Sequence, residues 1–275
     1  MELYKYSQII NGSLIKRPSK NVKSPYMADI VINEENDDDN THLAHCPSLG
    51  VSGLLNTHTN LYLSVNDNKT RKSNYTVELI DVPINKIEKT IANTNPQMGN
   101  IIFEKLLING FLPEFKNFKS YKREKKIGDS RIDFYIIKEN DEEEYVEIKS
   151  VVLCDFEKNN FPSYIEPEIS KLNNYKKGAI FPDGYRKNKN VPISERAIKH
   201  VKTLSKIKKE LNINTSLYFI VQRDDCEYFK PSNKDQFYKE CLKEHKDYIN
   251  IKSVSVKWTD KGICYFNKFL PVIID

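Results

Sequence analysis

Two short runs of alternating apolar and polar residues constrain the fold of this chain more than any other feature. The first run covers 130–136 (SRIDFYI), and the second covers 145–149 (YVEIK), after an acidic break. Because successive side chains of a strand point to opposite faces, each run predicts a strand, and their closeness along the chain predicts a hairpin. In such a hairpin Asp133, Glu147 and Lys149 can face the same way.

Two carboxylates beside a lysine suit the hydrolysis of phosphodiesters. Mg²⁺, or Mn²⁺ in its place, takes oxygen ligands, so Asp133 and Glu147 are candidate metal ligands. The ammonium of Lys149 can orient or deprotonate water and neutralise charge on phosphate. This is the PD-(D/E)xK nuclease arrangement, and all three residues are catalytic candidates. The triplet E-x-K, Glu147 to Lys149, is by itself more typical of the solvent-exposed face of a strand. The Asp133 on the preceding strand favours the nuclease interpretation.

An upstream helix offers a further carboxylate. Apolar residues recur at helical spacing between about 98 and 109, and Glu104 lies among them. Glu104 is therefore a fourth catalytic candidate. The alternative is an ordinary solvated residue on a helix.

Composition restricts the class of protein. The chain has 275 residues, 39% of them hydrophobic and 29% charged, which is typical of a globular protein with a hydrophobic core. No apolar run approaches a membrane-spanning helix, and the amino terminus lacks a signal-peptide pattern, so we expect an intracellular, cytoplasmic protein. The five cysteines are irregularly spaced without a CxxC pair, which predicts reduced, mostly structural thiols.

Basic residues gather in three segments, 16–20, 116–126 and 199–209, and the formal net charge is +5. Each segment can contact the phosphates of a nucleic acid. The alternative for each segment is ordinary solvated surface, because lysine is abundant throughout the chain.

The pattern of elements changes near residue 84. Up to about residue 82, short strand-like runs alternate with turn residues, which predicts a small barrel because closure removes exposed sheet edges. From Asn85 onward helices and strands mix, which predicts an α+β or α/β domain with a central mixed sheet flanked by helices. We therefore predict two domains, 1–84 and 85–275.

Three segments of the second domain have local sequence patterns that predict a helix, a strand and an insertion. Ser194 is a credible N-cap for a helix that extends to about Leu211. The apolar run 217–221 predicts a strand. The stretch 156–191 is rich in asparagine, lysine and proline, and it predicts either an ordered insertion or a flexible lid.

Several separated segments resemble the sugar fermentation stimulation protein A family, SfsA, in family order over nearly the whole chain. The segments are Gly12–Arg17, Ala44–Gly50, Tyr75–Ile80, Gly110–Glu114, Ser130–Phe134, Tyr145–Lys149, Phe181–Asp183 and Phe219–Arg223 with Pro231. The chain departs from the family pattern at Ser48 and Leu49, where the family has Asn-Thr. It also departs at Ala197, where the family has glycine, and between 93 and 99.

The resemblance implies an amino-terminal OB-like barrel, a carboxy-terminal PD-(D/E)xK nuclease-like domain, and DNA binding. It places Glu104, Asp133, Glu147 and Lys149 at the acidic and basic positions of the nuclease motif. Arg196 and His200 fall where the family has a T-x-R-G-x-K-H helix start. With the basic segments, the predicted DNA-contacting residues are Lys16, Arg17, Arg123, Arg131, Arg196 and His200.

Three functions remain open at this point. The first is a metal-dependent nuclease, and the second is a DNA-binding regulator, linked to sugar metabolism, that cleaves nothing. The third and least favoured is a barrel module that binds RNA or carbohydrate. We expect Trp258 to be a packing residue rather than a surface on which a sugar stacks. We also expect structural roles for His42, His45 and Cys46, because they lack the second pair of ligands that a zinc site needs.

Overall fold

The computed structural model describes most of the chain: residues 1–33, 40–49, 51, 53–66, 72–84, 87–156, 176–184 and 190–275. The acidic run 34–39 lies outside the described residues, as do 157–175 and 185–189, which make up most of the predicted insertion. An ordered insertion and a flexible lid therefore both stay predictions.

The amino-terminal strands close into a small barrel. After β1 (Glu2–Lys5), which joins another sheet, the strands are β2 (Ile10–Lys16), β3 (Met27–Ile32), β4 (His42–His45), β5 (Asn60–Val65), β6 (Tyr75–Pro83) and β7 (Lys89–Asn93). Their order is β4-β3-β2-β5-β6-β7, and a parallel pairing of β4 with β6 closes five of them into a ring. The ring encloses aliphatic side chains such as Leu14, Ile30 and Leu63. The predicted OB-like barrel is confirmed.

The second domain is built on a mixed seven-stranded sheet. Its elements are α1 (Met98–Ile108), β8 (Phe118–Ile127), β9 (Ser130–Lys138), β10 (Glu143–Val151), β11 (Cys154–Phe156), β12 (Lys177–Phe181), α2 (Glu195–Leu211), β13 (Asn214–Val221), β14 (Tyr228–Pro231), α3 (Gln236–His245), β15 (Asn250–Trp258) and β16 (Ile263–Leu270). The large sheet has the order β1-β16-β15-β13-β10-β9-β8. A separate sheet of three strands has the order β11-β12-β14.

Helices cover both faces of the large sheet. On one face α1 places Phe103 against Phe134 of β9, with ring centroids 4.8 Å apart. On the other face α2 and α3 bury side chains such as Val201, Leu204 and Leu242. The strands β10, β13 and β15 are parallel, and α2 and α3 are the crossovers that parallel neighbours require. The predicted central mixed sheet flanked by helices is confirmed.

Two strands join the sheet of the domain that lies on the other side of the predicted boundary at residue 84. The strand β7 pairs with β6 of the barrel, and β1 pairs with β16 at the edge of the large sheet. Buried polar contacts accompany this exchange: the Tyr6 hydroxyl donates to Glu78 Oε2 and accepts from Asn93 Nδ2, both at 2.9 Å. Each strand satisfies its backbone groups on an edge of the other domain, and local apolar patterns carry no information about which edge accepts it.

The helix predictions agree with the structure. Ser194 caps α2, because its Oγ accepts from the amide of Ala197 at 3.2 Å. The helix predicted between 98 and 109 is α1, which spans Met98–Ile108. Among the helices of the described residues, none is both long and apolar enough to cross a membrane.

Residues predicted to be structural are buried. Trp258 is 3% exposed, and its indole Nε1 donates to Gln222 Oε1 at 3.1 Å, so it is a packing residue. All five cysteines are free thiols, and four of them are buried.

Gly99 determines how closely α1 approaches β10. A Cβ at this position would lie 3.1 Å from Cβ of Ser150 and 3.3 Å from its Cα. We expect Gly99→Val to lower the free energy of unfolding by about 1–3 kcal/mol, because the added methyl groups force helix and strand apart. Urea denaturation measures the change. Valine is a better helix former than glycine, so helix propensity alone would not destabilise the variant, and a Gly99→Val protein as stable as the wild type would contradict the close contact. Lys105→Val, at an exposed position of α1, measures the separate effect of a β-branched residue in this helix.

Candidate active site

The predicted hairpin forms, and its two strands separate at the candidate site. The antiparallel pairing of β9 with β10 extends as far as Phe134 and Val146. Beyond that pair a side chain replaces the backbone partner, because Asp133 Oδ2 accepts from the amide nitrogen of Ile148 at 2.8 Å. This hydrogen bond fixes the Asp133 carboxylate beside β10, next to Glu147.

Glu147 is the centre of a buried polar cluster. Its side chain is 1% exposed, and Oε1 accepts from Lys149 Nζ at 2.5 Å and from Nδ1 of His200. The side chains of Lys149 and His200 are 12% and 7% exposed. The other oxygen of Glu147, Oε2, is buried without a hydrogen-bonding partner among the described residues. Since unsatisfied buried polar atoms are rare and costly, Oε2 indicates a ligand position.

The neighbours of His200 determine which ring nitrogen carries a proton. Lys149 Nζ and His200 Nδ1 lie 3.2 Å apart, and both face the same oxygen of Glu147. A lysine ammonium has only donors, so it cannot accept from the imidazole. Nδ1 of His200 therefore carries a proton and donates it to Glu147 Oε1 in a hydrogen bond. The contact between Lys149 and His200 is then not a hydrogen bond.

The two carboxylates differ in acidity. Burial raises the pKa of Asp133, and the negative charge of Glu147 raises it further, against the opposing effects of the Ile148 amide and Lys149. Burial also raises the pKa of Glu147, but Lys149 and His200 together outweigh burial, so its pKa is lowered. Glu147 is therefore the more acidic member of the pair, and a positive charge placed beside Asp133 would lower the pKa of Asp133.

The residue of α1 that reaches this cluster is Asn100, not Glu104. Asn100 Nδ2 donates to Asp133 Oδ1 at 3.0 Å. Glu104 lies one turn later, and its oxygens accept from the Tyr121 hydroxyl at 3.0 Å and from Arg123 Nη1 at 3.3 Å. The predicted fourth carboxylate is thus bound to the edge strand β8. An amide, which sequence reasoning missed, occupies the position beside Asp133.

His200 belongs to the cluster. It is 6% exposed and bonded to Glu147, so its imidazole faces the two carboxylates, and a contact of His200 with DNA stays a prediction. A signal for its burial was present in the sequence. His200 lies three residues after Ala197 and four before Leu204, which puts it on the apolar stripe of α2.

The other residues predicted to contact DNA fall into two groups. Arg17 donates to the backbone oxygens of Pro25 at 2.8 Å and Ser48 at 2.6 Å, so its guanidinium fastens a barrel loop. The remaining residues have exposed side chains: Lys16, Arg123, Arg131 and Arg196. The side chains of Arg123 and Arg131 are 43% and 67% exposed, and each pairs with a glutamate.

The donor set fits a divalent cation that keeps water ligands. Asp133 and Glu147 supply two carboxylates, and Glu147 Oε2 is available. No group of three or more His, Cys, Asp or Glu side chains within the described ranges lies close enough together to hold a metal ion. Two carboxylates suffice for Mg²⁺, which usually keeps several waters and shares its remaining positions with substrate phosphate. The same result leaves His42, His45 and Cys46 without a zinc site among the described residues.

A family model covers the domain that carries this cluster. The model described as the sugar fermentation stimulation protein RE domain matches residues 97–166 and 163–262, a span that contains Asn100, Asp133, Glu147, Lys149 and His200. The chain belongs to the SfsA family. The family resemblance of the sequence segments is thereby confirmed, and the polar cluster lies inside the SfsA domain.

Curated SfsA relatives extend the match to the barrel. The sugar fermentation stimulation protein homolog of Pelagibacter ubique is 30% identical over 260 residues, which cover 93% of each chain. The homolog of Synechococcus elongatus is 31% identical over 84% of this chain and 80% of its own. The solved structure of Pyrococcus furiosus SfsA in complex with Ca²⁺ superposes with a TM-score of 0.76 at 21% identity, over 100% of both chains. The two proteins share one fold across both domains.

Proposed function

We propose that this SfsA-family protein is a metal-dependent nuclease that cleaves DNA and uses Mg²⁺ or Mn²⁺. One observation carries the proposal: a buried carboxylate, Glu147, has one oxygen held by two nitrogen donors and the other oxygen without a partner among the described residues. A purely structural carboxylate at this depth would be expected to have both oxygens satisfied. The structure of the Pyrococcus furiosus relative is a complex with Ca²⁺, which supports a divalent cation as a ligand.

Asp133 and Glu147 would hold the metal ion, which when bound polarises the phosphoryl oxygen and makes water more acidic. Asp133 is positioned for this role from two sides, by the amide of Ile148 and by the side chain of Asn100. Glu147 stays ionised because Lys149 and His200 hold its Oε1. The chain therefore presents two oriented carboxylates before any substrate arrives.

Lys149 supplies the positive charge of the site. Its ammonium is positioned by Glu147 Oε1 at 2.5 Å and is only 12% exposed, so it acts at short range and not as a general attractor of DNA. At that place it can orient the attacking water and neutralise charge that develops on the phosphate. His200 lies beside Lys149 and acts as a positioning residue, because its Nδ1 donates to the same oxygen of Glu147.

DNA would reach the site along exposed basic residues. Arg123 is on β8 and Arg131 on β9, the strand that carries Asp133, while Arg196 lies in the first turn of α2, one turn before His200. Contacts of lysine and arginine with phosphates position a nucleic acid without reading its sequence. We therefore expect binding that weakens steeply with salt.

A cleavage assay that compares the wild type with Asp133→Ala tests this function. The substrates are single-stranded, duplex and branched DNA, each with Mg²⁺, Mn²⁺ or EDTA. We expect metal-dependent cleavage by the wild type and a loss of about 10³-fold in the variant, equivalent to about 4 kcal/mol of lost transition-state stabilisation. Binding measured over a salt series should persist in the variant, because Asp133 contributes no positive charge.

Asp129→Ala is the matched control, because Asp129 is an exposed aspartate in the turn between β8 and β9, four residues before Asp133. It should cleave like the wild type. Salt-sensitive binding without cleavage by any of the three proteins would contradict the nuclease and favour a DNA-binding regulator linked to sugar metabolism. Binding that does not respond to salt would instead favour a carbohydrate ligand.

A further inference from the structure

A small cavity lies beside the candidate active site, at the end of β10 where the barrel meets the second domain. Its volume is about 190 Å³. The residues that line it come from the barrel, from the loop before α1 and from the ends of β10 and β12, and they include Ser48, Thr94, Pro96, Ser150, Phe181 and Asp183. Pockets for drug-sized ligands have volumes of about 300–1,000 Å³, so this cavity suits a smaller group.

The cavity borders the residues that would carry out the chemistry. Ser150 directly follows Lys149 on β10. On the neighbouring strand, Phe219 is the parallel partner of Lys149, and partners in register point to the same face of a sheet. The ring of Phe181 packs against Phe219 with centroids 5.8 Å apart. A group in this cavity would therefore be a close neighbour of the phosphate on which Lys149 is proposed to act.

Hydrogen bonds hold the barrel side of the cavity in place. Arg17 Nη2 donates to Ser48 O at 2.6 Å, and Thr94 Oγ1 donates to Val77 O at 3.2 Å. The Thr94 side chain thus ties the loop before α1 to strand β6. The walls are formed before any ligand arrives, which lowers the cost of ordering on binding.

The ring of Phe181 gives the cavity an aromatic surface. Tyr238 packs against this ring edge to face, with centroids 5.4 Å apart, and Phe219 supports it as well. Phe181 nevertheless stays partly exposed, and the aliphatic side chain of Val152 also lines the cavity. Every nucleobase has a flat face that stacks on an aromatic ring, whatever the base.

The polar groups of the cavity select against phosphate. Among the described residues, none that lines this cavity is basic. Asp183 Oδ2 accepts from Lys234 Nζ at 2.7 Å, and each carboxylate oxygen has room for a second donor. Ser150 Oγ accepts from Gln222 Nε2 at 3.2 Å and keeps its own proton to donate. These groups match the N–H donors and acceptors at the edge of a nucleobase.

We propose that this cavity binds one unpaired nucleobase next to the cleaved phosphodiester, stacked on Phe181 and hydrogen-bonded to Ser150 and Asp183. The inference rests on the proposed nuclease, because it defines the base by its position beside the cleaved bond. A paired base cannot enter, since its edge is occupied by its partner. The substrate class is therefore DNA with an unpaired base at the cleavage position, and a perfect duplex must first unpair, which is unfavourable.

Cleavage of single-stranded DNA that carries one abasic nucleotide tests the pocket. One bond cut by the wild type with Mg²⁺ is mapped on a normal strand, and the abasic nucleotide is then placed at each position flanking that bond. We expect one position at which loss of the base slows single-turnover cleavage about 5- to 150-fold, the range expected for one stacked base. Equal cleavage with the abasic nucleotide at every flanking position would overturn the pocket and leave the nuclease standing.

Phe181→Leu tests the stacking surface. Leucine keeps apolar volume against Phe219 and removes the flat ring, so we expect the abasic effect to fall below about twofold. A purely structural role of Phe181 would slow normal and abasic strands alike, and an unchanged abasic effect in this variant would overturn the proposal. Phe266→Leu is the matched control, because Phe266 is also partly exposed and packs against another phenylalanine, Phe111, at 5.0 Å. It should keep the abasic effect of the wild type.

Photocrosslinking distinguishes failure of the pocket from failure of the nuclease. Asp133→Ala is irradiated in EDTA with a single strand in which 5-iodouracil replaces every thymine, and mass spectrometry identifies the crosslinked residues. We expect a crosslink at Phe181, and a total yield at that peptide about tenfold lower when Phe181→Leu is added. A crosslink at Phe181 without cleavage by the wild type would contradict the nuclease and support the base pocket. No crosslink at Phe181 would overturn the pocket whether or not the wild type cleaves DNA.

Discussion

Replacing Lys149 by methionine is expected to lower the rate of DNA cleavage by about 10²- to 10⁴-fold while DNA binding stays unchanged. The Lys149 ammonium is held by Glu147 Oε1 and is only 12% exposed, so under the proposed function it would act on one phosphate at short range and would contribute little to attraction over a distance. Methionine keeps most of the length of the side chain and removes only the charge and the donors. Single-turnover cleavage with excess protein measures the effect on the chemical step.

Lys252→Met is the matched control for this prediction. Lys252 lies on β15 of the same sheet, is partly exposed, and is outside the cluster. It should keep wild-type cleavage and binding within experimental error. Cleavage by Lys149→Met at the wild-type rate would mean that the lysine stabilises the fold and takes no part in the reaction.

Glu147→Gln is expected to lose cleavage and also to lower the free energy of unfolding by about 3–5 kcal/mol, the range for removing one partner from a buried ion pair. Glutamine can still accept one hydrogen bond, but Lys149 then lacks its counter-charge at a position that is almost fully buried. The amide nitrogen would moreover lie where Oε2 has no partner among the described residues. Urea denaturation at neutral pH measures the loss.

The double variant Glu147→Gln/Lys149→Met separates charge from packing. Removing both charges leaves no uncompensated ion, so we expect the double variant to be more stable than Glu147→Gln alone, with a coupling of about 0.5–3 kcal/mol. Cleavage should stay absent. Additive losses would show that Lys149 and Glu147 do not depend on each other in the folded protein.

The loss in Glu147→Gln should also depend on pH. The pKa of Glu147 is lowered in the folded protein, so the ionised carboxylate contributes stability above 4.5, the usual value of this group, and that contribution disappears as the pH falls through the lowered pKa. The stability difference between wild type and variant should therefore shrink in acid. A difference that is constant with pH would assign the loss to packing alone.

Local patterns in the sequence predict much of this fold and part of this site. The alternation around Asp133 and Glu147 predicts the hairpin and the shared face of the two carboxylates, because the side-chain period of a strand is fixed by backbone geometry. Ser194 predicts the start of α2 for a similar local reason, since its hydroxyl satisfies an amide of its own helix.

The rest of the site depends on contacts between distant elements. Whether Asn100 or Glu104 meets Asp133 is decided by the rotation and distance of α1 over the sheet, and Gly99 sets that distance through a neighbour on β10. The burial of His200 was readable from the helical period, but its bond to Glu147 was not. The strand β1 and its partner β16 are a similar case, because no short-range pattern specifies which edge accepts a strand.

The exchange of β1 has a consequence for the order of folding. Tyr4 lies opposite Cys264 in the sheet, so the pairing closes a loop of nearly the whole described chain, with the barrel inside it. Contacts so distant in sequence form late, because a large loss of chain entropy must precede them. The barrel, whose strands pair with near neighbours, can form while β16 still lacks its outer partner. Docking of β1 would then be the step that fastens the two domains together through Tyr6 and Glu78.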